Sequence, residues 1–398
     1  MSTYPDVFIV GAARTPIGKF LGSLSGLKAS DLGAVAIKEA MRRAGVGGGD
    51  VDEVLMGHVV QGGQGQAPAR QAQIKAGIDP RVGAVTINKV CGSGLKAVML
   101  GAQAIKAGDA ECVVAGGQES MSGAPHYLFG GRTGTKLGDA TLKDGAVLDG
   151  LWCSFNDSHM IELAQYTAEK AGLKREELDA LAVGSQQKAA AAQAACRFAK
   201  EMAPVTIPQR RGDPIVVDKD ESVRGDTTIE VLAKLPAVTR DRGGVITAGN
   251  APGLNDGGAA VVLMSGARVK ERGAKPLARV VAYATGGGEP RDLFFAPIDA
   301  VQKLMKKMGV GIGHFDLIEA NEAFASQALA DGRALGWDWD RVNVNGGAIA
   351  LGHPIGASGA RVLVTLLHAL EQRDKVTGLA TLCLGGGNAV ALAVERVR

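Results

Sequence analysis

Hydrophobic and polar positions follow a helical period in two parts of the chain that lie far apart. The period predicts helices over 34–44 and 297–308, and each helix is followed by glycines and by a strand that begins at Val51 or Phe315. Because two distant segments share one order of elements, the pattern indicates a repeated unit.

The same order of elements continues beyond these strands in both segments. The predicted pairs are strands 84–88 and 342–344, helices 94–106 and 358–370, and strands 112–115 and 379–384. Strands that alternate with helices are typical of an α/β protein with largely buried sheets. The first of the two helices is apolar nearly all round, which predicts a position between two sheets.

Identical residues support a duplication of one fold. Residues 36–57 and 300–321 share seven identities at a constant offset of 264. Further along, Ser93-Gly94 aligns with Ser358-Gly359 at an offset of 265. A drift of one residue over this distance is typical of two copies of one structure.

The duplication divides the chain into two α/β halves and a long segment between them. The predicted units are 1–120 (completed by about 251–274), 121–250 and 275–398. The middle unit is richer in charge, and its predicted helices, at about 159–171 and 175–200, have polar faces. Two interpretations fit it, a solvent-facing insertion and a substrate-binding excursion. We favour the second, because long excursions in compact α/β proteins usually carry function.

Composition and charge narrow the functions that such a fold can have. Aromatic residues make up 4% of the chain and the net charge is +3, which argues against a nucleic-acid or membrane partner. No apolar run approaches the ~20 residues of a membrane span, and the first ten residues carry no secretory or transit pattern. The cysteines are widely spaced, at positions 91, 112, 153, 196 and 383. This spacing predicts reduced thiols, no metal site and a cytoplasmic protein.

Cys91 stands between a predicted strand and a predicted apolar helix, in the segment Asn-Lys-Val-Cys-Gly-Ser-Gly (88–94). A cysteine at a helix N-terminus meets free N–H groups and the positive end of the dipole, which lower its pKa and favour the thiolate. We predict that Cys91 is a catalytic nucleophile. The alternative is a small apolar residue that fills a tight turn.

The second copy supplies a histidine close to the position equivalent to Cys91. At the offset of 265, Gly356 aligns with Cys91, and His353 lies just before it. The duplication therefore directs Cys91 and His353 to a shared cleft, where the imidazole can activate the thiol.

Two further strand ends carry candidate chemistry. Cys383 ends a predicted strand and precedes three glycines, whose backbone N–H groups can form an oxyanion hole. Asn321 follows the strand that begins at Phe315, where its amide can hold an oxyanion or an ordered water. Cys112, on the strand equivalent to that of Cys383, is predicted to belong to the core.

Together these segments resemble the thiolase family, and specifically its acetyl-CoA acetyltransferase branch. The resemblance covers nearly the whole chain and rests on segments 14–16, 88–94, 247–250, 255–257, 321–324, 345–361 and 383–387. It implies duplicated α/β halves in a layered αβαβα arrangement, with an inserted loop domain over 121–250 that binds coenzyme A (CoA). It also implies a homodimer or homotetramer and no cofactor beyond the CoA thioesters themselves.

The family's reaction, carried over residue by residue, condenses two acetyl-CoA to acetoacetyl-CoA and CoA, reversibly. His353 activates Cys91, which takes the first acetyl group, and Cys383 then removes an α-proton from the second acetyl-CoA. The N–H groups of Cys91 and Gly385 bind the oxygen of the acetyl-enzyme. A water held by Asn321 acts with His353 at the thioester oxygen of the second substrate.

The resemblance also implies a set of CoA contacts, some of which depart from the family pattern. The residues are His159, Met160, Arg224, Ala251, Pro252, Leu293 and Phe324. Pro252 replaces a frequent serine, Leu293 replaces a frequent methionine, and Val238 stands where an aromatic residue is common. These departures leave a 3-ketoacyl-CoA thiolase of wider chain length as the alternative. A non-catalytic lipid-binding or scaffolding relative is a further alternative, which the presence of all three catalytic side chains disfavours.

Overall fold

The structure is a computed structural model that describes residues 5–134, 136–239 and 243–398. Residues 1–4 of the predicted N-terminal half, and residues 135 and 240–242 of the predicted loop domain, lie outside the described residues.

The N-terminal half begins with alternating strands and helices. The strands are β1 (Val7–Arg14), β2 (Gly18–Lys19), β3 (Glu53–Gly57), β4 (Gly83–Ile87) and β5 (Cys112–Ser120), and the helices are α1 (Ala29–Ala44), α2 (Pro68–Ala76) and α3 (Ser93–Ala107). Helix α1 ends at Gly45, whose φ of 64° lets its N–H reach back to the carbonyls of Met41 and Arg42. The helix predicted over 34–44 is therefore present and begins one turn earlier.

The segment after β5 contains short strands and three helices among its described residues. The strands are β6 (His126–Leu128), β7 (Leu142–Asp144), β8 (Trp152–Cys153), β9 (Ser158–His159), β10 (Val205–Ile207) and β11 (Ile215–Val217), and the helices are α4 (Met160–Lys170), α5 (Arg175–Ala194) and α6 (Ile229–Ala233). The helix predicted over 175–200 stops at Ala194, because the chain leaves helical geometry at Cys196, where φ is 54°.

The rest of the chain completes the first half and forms the second. The strands are β12 (Asn255–Ser265), β13 (Ala278–Gly287), β14 (Leu317–Ala320), β15 (Thr377–Leu384) and β16 (Asn388–Arg396), and the helices are α7 (Gly266–Arg272), α8 (Ala296–Met308), α9 (Ala325–Leu335), α10 (Ala348–Leu351) and α11 (Ile355–Gln372).

The sheet order repeats, which confirms the duplication. The strands run β14-β15-β16-β13-β1-β12-β5-β3-β4, with β2 paired to β12. In one half, β3 pairs with β5 in parallel, and the pairs β5–β12 and β12–β1 are antiparallel. In the other half, β14 pairs with β15 in parallel, and the pairs β15–β16 and β16–β13 are antiparallel. The strand predicted over 342–344 is wrong, since the chain there makes only an isolated bridge from Val342 to Ile318.

Helices α3 and α11 pack against each other between the two halves of the sheet, and α1 and α8 cover the outer faces. Alternate residues of β12 face opposite layers, so Val261 and Leu263 join the cluster around α3 and α11, whereas Val262 and Met264 join the cluster around α1. The arrangement is the predicted αβαβα layering. Within the described residues, no helix combines the length and apolar character that crossing a membrane would need.

A buried ion-pair cluster ties the middle segment to the first half. Arg14, at the end of β1, donates Nη1 and Nη2 to the Asp220 carboxylate at 2.7 and 2.9 Å and Nε to Glu201 at 2.5 Å. Glu201 also accepts the hydroxyl of Thr365 in α11 at 3.2 Å. The cluster therefore joins the first strand, the middle segment and the central helix.

Candidate active site

Cys91 lies in a tight connection between β4 and α3. The residue before it, Val90, has a φ of 48°, in the left-handed region that β-branched residues rarely occupy. The Ser93 hydroxyl donates to the Val90 carbonyl at 2.6 Å and accepts the Lys89 N–H at 2.8 Å, which holds the turn. Cys91 therefore sits just before the first turn of α3, as predicted.

The surroundings of the Cys91 sulfur favour the thiol. Burial raises the pKa of Cys91 to about 12, and the charge of Glu119 acts in the same direction. The backbone N–H groups of Cys91 itself and of Gly385 are directed at the sulfur and act in the opposite direction. The prediction that the helix N-terminus favours the thiolate is therefore wrong, because burial outweighs the nearby N–H groups.

His353 is held in one tautomer by its neighbours. The Ser358 hydroxyl donates its single proton to the Pro354 carbonyl at 2.9 Å, so it accepts at its contact with His353 Nδ1, 2.6 Å away. The proton of the neutral ring is consequently on Nδ1, and Nε2 carries the lone pair. The Asn321 Nδ2 lies 3.4 Å from Nε2, where it can donate a hydrogen bond to that nitrogen. Asn255 Oδ1 accepts the backbone N–H of His353 at 2.8 Å, which fixes the main chain as well.

The His353 ring is neutral in this environment. Burial, together with the positive charge of Arg361, lowers the pKa of His353 to about 3. A neutral imidazole with its lone pair on Nε2 can accept the proton of a thiol. The site therefore contains a neutral histidine and a protonated cysteine.

Cys383 is buried near the end of β15 and shares the cavity with Cys91. Burial raises its pKa well above the ordinary value, and negative charge at Cys91 or Asp331 acts in the same direction. The chain then turns through Gly386 and Gly387, whose φ values are 79° and 85°. This turn brings the Gly385 N–H to the Cys91 sulfur.

Asn321 follows β14, and its backbone N–H donates to the Thr381 carbonyl at 3.0 Å. Its side-chain Oδ1 is buried without a partner among the described residues, which leaves an acceptor available. The next residue, Glu322, accepts from the Ser185 hydroxyl at 2.7 Å and from the Ile349 N–H at 3.1 Å. Glu322 thus anchors the Asn321 loop to α5 and α10.

Cys91, His353 and Cys383 line one apolar cavity of about 370 Å³. The cavity is also lined by Gly385 and by six of the seven predicted CoA contacts, namely His159, Met160, Ala251, Pro252, Leu293 and Phe324. Asn321 is not among the residues that line it, although its Nδ2 contacts the Nε2 of His353. Val238, which stands where an aromatic residue is common in the family, also lines the cavity.

Arg224 lies outside this cavity, in an adjoining one of about 330 Å³. The two cavities share Ala251 and Pro252 as a common wall. Arg224 is exposed, and within the described part of the chain its guanidinium makes no hydrogen bond or ion pair. A cation in this position suits a phosphate-bearing ligand.

His159 caps helix α4 with its ring. Its Nδ1 accepts the Ile161 N–H at 3.1 Å, and burial lowers its pKa. The neutral ring therefore carries its proton on Nε2, where it can serve as a donor.

Three supporting residues had no predicted role: Glu119, Asn255 and Ser358. Asn255 and Ser358 lay inside motifs of the resemblance, but their contacts with His353 join segments far apart in sequence. Glu119 had one weak signal, since a carboxylate is unusual near the end of a strand that begins with six small or apolar residues.

Comparison with known proteins agrees with this geometry. Residues 7–267 match the description "Thiolase, N-terminal domain" and residues 274–396 match "Thiolase, C-terminal domain". The chain is 56% identical to an acetyl-CoA acetyltransferase of Pseudomonas aeruginosa over 392 residues, 98% of this chain and 99% of the relative. It is 51% identical to a probable acetyl-CoA acetyltransferase of Escherichia coli over 391 residues, with coverage of 98% and 99%. The crystal structure of the Bacillus anthracis acetyl-CoA acetyltransferase superposes with a TM-score of 0.96 at 41% identity, covering 99% of each chain.

Proposed function

This chain belongs to the thiolase family, and we propose that it is an acetyl-CoA acetyltransferase, which condenses two acetyl-CoA to acetoacetyl-CoA and CoA and catalyses the reverse thiolysis. One observation carries the proposal. Two cysteines and a neutral histidine line a single apolar cavity, with two backbone N–H groups directed at one of the sulfurs. The names of the relatives, at 51% to 56% identity, support the acetyl group as the unit transferred.

In the first half-reaction, the Cys91 sulfur attacks the thioester carbonyl and its proton passes to His353 Nε2. The bond from the carbonyl carbon to the CoA sulfur breaks, and the departing thiolate takes the proton back from His353. The developing oxyanion accepts from the N–H groups of Cys91 and Gly385, and such a donor contributes roughly 3 kcal/mol. The product is an acetyl group on Cys91.

In the second half-reaction, Cys383 gives its proton to His353 and, as thiolate, removes an α-proton from the second acetyl-CoA. Protonated His353 donates to the enolate oxygen, together with a water held by Asn321. The enolate carbon then attacks the acetyl carbonyl, and the bond to the Cys91 sulfur breaks. His353 returns its proton to Cys91, so all three side chains end as they began.

The remaining assignments follow from this scheme. We expect CoA to bind mainly through segment 121–250 and the wall formed by Ala251 and Pro252, with Arg224 near its nucleotide. The halves would be 1–120 with about 251–274, and 275–398. The scheme requires no cofactor, because both CoA thioesters are substrates.

We also expect a homo-oligomer, either a dimer or a tetramer, acting in the cytoplasm. Two surfaces support assembly: the hairpin β6–β7, where Phe129 is 67% exposed, and the edge strand β4, where Val85 is 47% exposed. All five cysteines are unpaired, which suits a reducing compartment. Light scattering on the wild type and on Phe129→Ser would test the hairpin as an assembly surface.

A chain-length series tests the proposed function. The cavity wall includes Leu293, Phe294 and Phe324, and the two phenyl rings meet edge to face at 5.3 Å. We expect this bulky wall to exclude longer acyl chains. We expect kcat/KM for thiolysis to fall steeply from acetoacetyl-CoA to 3-ketohexanoyl-, 3-ketooctanoyl- and 3-ketodecanoyl-CoA. A flat or rising series would instead identify a thiolase of wider chain length. Complete retention of activity in Cys91→Ala would exclude the scheme altogether.

A further inference from the structure

Glu119 is a fully buried carboxylate, in β5, that the reaction scheme does not use. Its Oε2 accepts the backbone N–H of Gly356 at 2.8 Å and that of Val59 at 3.1 Å, and its Oε1 accepts the N–H of Val60 at 3.2 Å. The Nε2 of His58 lies 3.1 Å from Oε1. One side chain thus accepts hydrogen bonds from three main-chain N–H groups that belong to two separate segments.

Both segments adjoin reacting groups. Gly356 lies in the first turn of α11, three residues after His353, and a Cβ there would come within 2.7 Å of both the Gln118 carbonyl and Glu119 Oε2. Val60 belongs to the small apolar cluster that Cys91 packs against. The two segments come from different halves of the chain.

We propose that Glu119 is a positioning residue for acylation, whose single carboxylate joins the wall beside Cys91 to the helix that begins after His353. The inference rests on the proposed function, since acylation of Cys91 is the step that it serves. Hydrogen bonds from three N–H groups to one ionised acceptor are stronger than bonds between neutral groups, and they hold both segments in one geometry. A displacement of about 1 Å between nucleophile and base is enough to slow a reaction roughly a hundred-fold.

The charge of Glu119 has a second consequence, because it disfavours the Cys91 thiolate. The other charged or titratable groups that face this region are His58 beside the carboxylate, Asp256 on the neighbouring strand β12, and His353 with Arg361 behind it. Burial and, to a smaller extent, this charge keep Cys91 protonated until a thioester carbonyl is in place and His353 can take the proton.

Two substitutions separate length from charge. Glu119→Gln keeps the length of the side chain and removes its charge. Glu119→Asp keeps the charge but shortens the side chain by one methylene group. We expect Glu119→Gln to lower the pH midpoint of Cys91 alkylation by iodoacetamide by a few tenths of a unit and to slow acetylation by acetyl-CoA about ten-fold. Glu119→Asp should slow acetylation similarly and leave the alkylation midpoint at the wild-type value.

Internal controls exclude a general loosening of the fold. Cys112 is buried in the same strand, and mass spectrometry should find it unmodified in each variant if the fold is intact. Asp256→Asn removes another buried carboxylate, which accepts the Ser122 N–H, and should leave the alkylation midpoint of Cys91 unchanged. If Glu119→Gln does not fold, Glu119→Asp tests the positioning role by its acetylation rate alone.

Two results would overturn the inference: wild-type acetylation rates in both folded Glu119 variants, or an alkylation midpoint in Glu119→Gln equal to that of the wild type. Alkylation by iodoacetamide needs no CoA thioester. A wild type that acetyl-CoA does not acetylate would therefore contradict the proposed function, while the alkylation midpoints would still decide whether Glu119 acts on Cys91.

Discussion

The backbone N–H of Gly385 is directed at the sulfur of Cys91, although the two residues belong to opposite halves of the chain. In the proposed scheme, one half of the chain therefore supplies the nucleophile and the other half supplies a donor for the oxyanion. A Cβ at Gly385 would lie 3.2 Å from Cγ1 of Val90, the strained residue just before Cys91. The glycine therefore permits a close approach of two catalytic loops.

Gly385→Ala should displace one loop by a few tenths of an ångström and weaken the oxyanion hole. We expect acetylation of Cys91 to slow about ten-fold, less than the loss of a whole donor, with a small effect on KM. Rapid-quench measurement of the acetyl-enzyme tests this. Gly288→Ala is the matched control, since a Cβ there would meet no described atom within 4 Å. Equal rates in the two variants would contradict the prediction.

Ser358→Ala should impair the base without touching the substrate. The hydroxyl sets the tautomer of His353 by accepting from Nδ1, so its loss allows the proton to move to Nε2. We expect acetylation to slow by roughly ten- to a hundred-fold, as for a weakened general base. Ser326→Ala is the control, because that buried hydroxyl donates to the Ala164 carbonyl in a different part of the fold. A Ser358→Ala rate no lower than the control rate would refute the assigned tautomer.

The depressed pKa of His353 makes a prediction about stability and pH. The folded protein keeps His353 neutral down to a pH of about 3, whereas the unfolded chain protonates it near the ordinary value of 6.5. The unfolded state therefore binds the extra proton, and His353 costs stability as pH falls below 6.5, by up to about 1.4 kcal/mol per pH unit. Denaturant unfolding of the wild type and of His353→Asn should give curves that diverge on the acid side. Parallel curves would show that folding does not lower the pKa of His353.

Asp220→Ala should destabilise the fold by about 3–5 kcal/mol, because it leaves the buried Arg14 guanidinium without its bidentate partner. The free energy of unfolding from urea titration measures this. Asp79→Ala removes an ion-pair partner from Arg81, whose side chain is 90% exposed, and should change stability little. Similar losses of unfolding free energy in the two variants would show that the Arg14 ion-pair cluster does not stabilise the fold.

Candidate catalytic residues at the ends of predicted strands could be identified from the sequence, because the order of strands and helices along the chain gives their positions. Cys91 follows a predicted strand and Cys383 lies near the end of one, and the repeat offset predicted that His353 faces Cys91. Two similar α/β halves, with helix α3 between two sheets, followed from the same offset and from the apolar character of that helix. The complete αβαβα layering was implied by the resemblance to the thiolase family.

Contacts between distant segments could not be predicted in this way. Asn255 and Ser358 act on His353 through side-chain geometry, and Glu119 joins two loops that no sequence pattern connects. The pKa of Cys91 was predicted in the wrong direction because the helix N-terminus is visible in the sequence, whereas burial is a property of the whole fold. The prediction of a strand over 342–344 was wrong, because a short apolar run is compatible with an isolated bridge as well as with a continuous ladder of strand hydrogen bonds.

The central claim is that Cys91 and Cys383 act in different half-reactions, and Cys383→Ser tests it most directly. Serine is a far weaker acid than cysteine, so the variant should lack the base that removes the α-proton. Single-turnover experiments would measure acetylation of Cys91 by acetyl-CoA and, separately, formation of acetoacetyl-CoA from the acetyl-enzyme. We predict near-normal acetylation and condensation slowed at least about a hundred-fold. Equal loss of both half-reactions, or normal condensation, would contradict the assignment.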